Sequence, residues 1–192
     1  YPEMADDLAV VIAAHRGRTD VIGHSMGGKA AMMLALRHPD AVRRLLVADI
    51  APVSYGHSQI QYIEAMRAVD LDKVNRRSDA HAQLSDLGVD PALQSFFTQS
   101  LDIRGKRWCL NLDTLAKEMP TNMTFPKTDA HWDGLALFMS GAESDYVRPE
   151  NRSEILARFP AARFAKIPKA GHWLHADAPR AFEATARAFL NA

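Results

Sequence analysis

Several large protein classes are excluded by what this chain lacks. A single cysteine, Cys109, stands among 192 residues. A lone thiol closes no disulfide within the chain and builds no cysteine metal site, so stability must come from packing, and a reducing cytoplasm is the expected compartment. No apolar run nears the roughly 20 residues that a membrane-spanning helix needs. The opening residues YPEMADDLAV lack the basic start and apolar stretch of a secretory signal. Charge of one sign is not in excess either. The 23 Lys and Arg balance 23 Asp and Glu, which removes the electrostatic case for nucleic acid, an acidic polymer or a membrane surface as partner. A small or neutral ligand is expected instead. Internal repeats and low-complexity segments are also missing. What is present is 47% hydrophobic residues, enough for one globular domain with a substantial core.

The apolar pattern alternates between strand and helix. From Pro2 to His15, Met4, Leu8, Val11 and Ile12 recur at helical spacing behind acidic Glu3, Asp6 and Asp7, which complement a helix dipole. After turn residues Arg16 to Arg18, the short run Val21-Ile22 stops at Gly23. An apolar Ala30 to Leu36 segment follows and ends at Pro39. A second run, Leu45 to Ala48, ends at Asp49 and Pro52, so the order strand, helix, strand predicts a parallel sheet with crossover helices. Strand signals then nearly vanish. Ile60, Ile63, Met66 and Val69, and later Leu93, Phe96, Phe97 and Leu101, predict an insertion of short helices over residues 55–130, where a lid over an active site would sit. Cys109 falls inside it and is expected to be buried. Residues 131–192 resume the core of residues 1–54. They hold a strand over Leu135 to Met139, a helix from Pro149 to Phe159, a strand from Arg163 to Ile167, and a last helix from Pro179 that packs through Phe182, Ala186, Phe189 and Leu190.

Gly23-His24-Ser25-Met26-Gly27-Gly28 places Gly-x-Ser-x-Gly directly after a strand and directly before a helix, the setting that a nucleophile turn requires. Such a turn lifts the serine hydroxyl above the sheet, and side chains at the flanking glycines would strike the adjoining strand and helix. The backbone N–H of Met26, at the helix start, is the candidate oxyanion donor. The same residues with Lys29 also fit Gly-x-x-x-x-Gly-Lys, with Leu45 to Asp49 as a metal-binding strand end. The residue after Lys29 is Ala30, which has no hydroxyl for magnesium. The nucleotide-loop reading therefore loses a ligand, and Lys29 is expected to send its ammonium to solvent.

A serine needs a base. Of the eight histidines, His172 in Ala170-Gly171-His172-Trp173 follows the last strand, where a loop presents an imidazole at the strands' carboxyl edge. His175 is the reserve. Packing is the expected role of His24, and surface or lid positions are expected for His15, His38, His57, His81 and His131. Three carboxylates compete as the acid: Asp49, at the end of the strand that follows the nucleophile helix; Asp145, after the next strand; and Asp113, in the insertion. Geometry favours Asp49, with Asp145 next.

At Gly23 to Lys29, Asp49-Ile50-Ala51-Pro52, Ala170 to Trp173 and the lid-like Trp108 to Leu115, the chain resembles α/β-hydrolases, specifically the YbfF-type esterases and their mitochondrial abhydrolase relatives. The resemblance runs over essentially the whole chain. It implies the C-terminal portion of an α/β-hydrolase fold, with a mostly parallel sheet, flanking helices and a helical cap. It also implies a short-acyl esterase or thioesterase that works without a cofactor through Ser25 and His172. The usual acid position of the superfamily falls on Ser144, whereas the Asp-Ile-Ala-Pro acid of the YbfF-type branch maps onto Asp49. Asp145 and Asp113 stay in contention. The superfamily's early strands and the His-Gly loop that gives a second oxyanion N–H are not found. The expectation is a piece of a longer protein, inactive alone because a lost oxyanion donor costs roughly 10²- to 10³-fold in rate. Phe96, Phe97, Trp108 and Met119 point to an apolar acyl site, or simply to helix packing. Competing with hydrolysis are a non-catalytic binding protein of the same fold and the nucleotide-binding loop.

Overall fold

β2 (Val42–Ala48) is buried on both faces, with Leu45, Leu46, Val47 and Ala48 all at 0% exposure, as a central parallel strand requires. The computed structural model describes residues 1–15 and 17–192, so Arg16, in the turn expected between helix and strand, lies outside the described residues. Beside β2 lie β1 (Thr19–His24) and β5 (Leu135–Gly141), and β6 (Ala162–Ile167) follows, giving a parallel sheet in the order β1-β2-β5-β6. The register sets His24 beside Ala48, Ala48 beside Met139 and Met139 beside Ala165. The carboxyl ends of all these strands therefore share one edge, and the loops that leave them hold Ser25, Asp49, Ser144 and His172.

Helices cover the sheet. α1 (Pro2–Ala14) opens on a proline with Glu3 in its first turn, and packs on α2 (Met26–Arg37) through buried Ala5. Asp6 accepts from Arg37 and from His38 and so pins the two helices together. The apolar spacing of α1 is only partly used, since Leu8 and Val11 remain exposed. α7 (Arg152–Arg158), preceded by a 3-10 turn at Pro149–Asn151, follows β5. α8 (Leu174–Asp177), too short for its periodicity to be read, follows the histidine loop, and α9 (Pro179–Leu190) ends the chain. On this side Leu46, Ala48, Leu137, Met139 and Ile167 pack with Leu174, Ala186 and Phe189.

The chain divides into two compact units, one of Tyr1–Ser54 with Phe125–Ala192 and one of Tyr55–Thr124. The second contains α3 (Ile60–Ala68), α4 (Arg77–Asp86), α5 (Pro91–Phe97) and α6 (Leu112–Met123). Asp90 and Asn111 cap α5 and α6 by accepting from the N–H groups of Ala92 and Thr114. Between α5 and α6 lies a small antiparallel hairpin, β3 (Leu101–Asp102) with β4 (Arg107–Trp108), whose strands of two residues carry no readable alternation. Its presence corrects the expectation of helices alone. Cys109 leaves β4 on the exposed side, with its N–H bonded to Ser100, so the expectation of a buried thiol is also corrected. Phe97, Trp108 and Met119 pack against this unit's own core, which favours the packing reading of those residues, whereas Phe96 is exposed.

Candidate active site

Ser25 links β1 to α2 with φ 54° and ψ −121°, a backbone region that a side chain occupies only under constraint. The constraint is visible on both sides. The Ser25 N–H donates to the Ala48 carbonyl at 3.0 Å, and the Ser25 carbonyl accepts from Gly28 and Lys29 as α2 begins. The glycines make the turn possible by close approach. A Cβ on Gly23 would lie 2.4 Å from the Gly27 oxygen, and one on Gly28 would lie 2.5 Å from Ile50 Cγ2. At Gly27 nothing lies within 4 Å, so the crowded pair is Gly23 and Gly28 rather than the two glycines of the motif. Met26 is the first residue of α2, where N–H groups have no acceptor within the helix.

Lys29 differs from expectation. It is 2% exposed, with Nζ 5.7 Å from the centre of the Tyr1 ring, because position 29 falls on the packed face of α2 among Gly28, Ala30 and Ala31. Burial lowers its ammonium to about 8. A nucleotide-binding loop needs that ammonium at its mouth.

Three of the sequence candidates meet. His172 Nε2 lies 3.0 Å from Ser25 Oγ, and His172 Nδ1 lies 2.8 Å from Asp49 Oδ2. A carboxylate at Nδ1 places the proton there, leaving Nε2 free to accept from the serine hydroxyl. Asp49 has no exposed surface and φ 52°. Its N–H donates to the Met139 carbonyl at 2.8 Å, which turns the chain at the end of β2 and aims the side chain across the strand ends. Its Oδ1 accepts from the Gly141 N–H at 3.0 Å, and its Oδ2 also accepts from the Ser144 hydroxyl. The oxygens of a fully buried carboxyl group need such donors. The other acids are elsewhere. Asp145 is exposed, with its carbonyl taking Arg148 Nε, and Asp113 is an exposed partner of Arg67 in the helical unit.

Around the imidazole, the Tyr146 ring stacks on His172 at 4.0 Å and 22°. The His172 carbonyl accepts from His24 Nε2 at 2.8 Å, and the Gly171 N–H donates to Asp177 at 2.8 Å. Burial holds His24 below the usual histidine range. His175 is exposed on α8, away from the reserve role. His15, His38 and His81 bond to Val11, Asp6 and Thr98, His131 lies 3.6 Å from Asp133, and His57 lies against Tyr55. Sequence reasoning missed Ser144 and Tyr146 as neighbours of the site. The one signal was that Ser144 occupies the superfamily's usual acid position. Among the described residues, no group of three or more His, Cys, Asp or Glu side chains is placed to hold a metal ion.

Comparison with known proteins gives the family. Residues 1–185 match the alpha/beta hydrolase family. The chain is 43% identical over 178 residues to the sn-1-specific diacylglycerol lipase ABHD11 of Mus musculus, covering 88% of this chain and 58% of that protein. It is 37% identical over 199 residues to esterase YbfF of Escherichia coli K12, covering 100% of this chain and 75% of that protein. Among solved structures, a marine microorganism esterase superposes with a TM-score of 0.91 at 34% identity, over 98% of this chain and 76% of that one. The chain therefore spans less than two thirds of the mouse relative's length. With the parallel sheet and the relatives in agreement, this chain is a member of the alpha/beta hydrolase family, in its YbfF/ABHD11-type branch.

Proposed function

We propose that the protein is a serine hydrolase that cleaves carboxylic esters or thioesters of short to medium acyl groups through an acyl-enzyme. The observation that carries this reading is the continuous hydrogen-bonded line from Ser25 Oγ through His172 to Asp49. Ser25 Oγ attacks the acyl carbonyl as its proton passes to His172 Nε2, and the imidazolium is balanced by Asp49. The Met26 N–H and the α2 dipole stabilise the tetrahedral oxyanion. As that intermediate collapses, His172 returns the proton to the departing alkoxide or thiolate. Water, deprotonated by the same imidazole, then releases the acid and restores Ser25.

The names of the relatives, an sn-1-specific diacylglycerol lipase and an esterase, support ester cleavage. The test is a graded series of acyl esters and acyl thioesters, from acetyl upward, assayed with the protein and with Ser25→Ala. The expected result is turnover of at least one series, lost in the variant. Turnover that survives Ser25→Ala refutes the mechanism, and inertness towards every substrate favours a binding protein.

A further inference from the structure

His24 ends β1 next to the nucleophile, yet its side chain reaches the loop that carries the base, bonding a residue 148 positions away. The acceptor is the His172 carbonyl oxygen, which cannot donate, so Nε2 carries the hydrogen. The ring also packs with its neighbours, at 4.8 Å from the His172 ring, 4.7 Å from His175 and 5.8 Å from Trp173.

We propose that His24 is a positioning residue that ties the nucleophile turn to the base loop through its hydrogen bond to the His172 carbonyl and so sets the approach of His172 Nε2 to Ser25 Oγ. The contact joins the two parts whose separation controls proton transfer. Ser25 is fixed to β2 through Ala48, and Gly171 is fixed to Asp177. His24 closes the remaining gap by holding the main chain of residue 172 itself, where the side-chain contacts of Asp49 and Tyr146 cannot act. The groups facing His24 are His172, His175 and Asp49. Burial holds His24 below the usual histidine range, which disfavours a second cation beside the imidazolium that forms during turnover.

The catalytic part of this inference rests on the acyl-transfer reading, so two kinds of measurement are needed. His24→Phe keeps a ring in place but has no donor, whereas His24→Gln offers an amide N–H to the same carbonyl. With the ester that the protein turns over best, His24→Phe is expected to lower kcat roughly tenfold with KM nearly unchanged, because a small misplacement of reacting groups is costly while substrate contacts are kept. His24→Gln should recover most of that loss. Independently of activity, amide hydrogen exchange in residues 170–173 should speed up in His24→Phe and stay near the parent rate in His24→Gln, with circular dichroism confirming that both variants are folded. Parent-like kcat and exchange in His24→Phe overturn the proposal, as does an equal loss in both variants. A parent protein that turns over no acyl substrate overturns the acyl-transfer reading instead, and the exchange measurement then decides the tie by itself.

Discussion

Asp49 holds the site together at the level of single residues, because one buried carboxylate takes three partners from two separate segments of chain. Gly141 ends β5 and Ser144 lies in the turn after it, and His172 comes from the loop after β6. Asp49→Ala is expected to lower kcat by roughly 10³- to 10⁴-fold, since the imidazole loses both its tautomer and its counter-charge. Asp145→Ala and Asp113→Ala should stay near the parent rate. Steady-state kinetics of the three variants checks this, and retained turnover in Asp49→Ala removes Asp49 from the triad. Ser144→Ala removes one donor from a charged, buried oxygen and should cost roughly tenfold in kcat, with Ser144→Thr close to the parent. Ser25, His172 and Asp49 were each legible in the sequence because a strand end or a glycine turn marks them. Ser144 and Tyr146 were not. A hydroxyl in a turn and a single tyrosine carry no periodic signal, and only the folded sheet edge brings them to Asp49 and His172.

The turn at Ser25, the proposed nucleophile, is where element and chemistry meet. Its Gly-x-Ser-x-Gly pattern predicted the bend correctly, but the steric reason applies to Gly23 and Gly28, where the backbones of β1 and α2 and the Ile50 side chain leave no room for a methyl group. Gly23→Ala and Gly28→Ala are expected to destabilise the protein by about 1–3 kcal/mol. Gly27→Ala, on the open side of the helix start, should change stability by less than about 1 kcal/mol. Chemical denaturation of the three variants reads this directly, and a Gly27 variant as unstable as the other two contradicts the packing assignment. The long helices and parallel strands could be read from their periodicity. The two-residue strands β3 and β4 and the short α8 could not, because a pattern needs more residues than those elements contain.

Across the whole molecule, the parallel sheet and the shared carboxyl edge of its strands follow from alternating strands and helices, a pattern long enough to see in the sequence. The burial of Lys29 does not follow from it, because a cation in Gly-Lys-Ala reads as solvated until α2 is packed. That burial has a consequence for stability. The folded state gives up the Lys29 proton near pH 8, while the unfolded chain keeps it to about 10.4. Between those limits the unfolded state binds more protons, so stability rises with pH from about 8 to 10. Higher still, the Tyr1 hydroxyl, pushed up to about 12 by burial, begins to act in the opposite direction. Thermal melting across pH 8 to 10 should show the rise in the parent and lose it in Lys29→Met. A rise that persists in the variant assigns it to another group.

The central claim is that Ser25 is a nucleophile activated by His172, and covalent labelling tests it without knowledge of the substrate. Treatment with a fluorophosphonate, followed by peptide mass spectrometry, should place the adduct on Ser25 and lose it in His172→Ala. A folded protein left unlabelled, or labelled at the same rate without His172, would contradict the account.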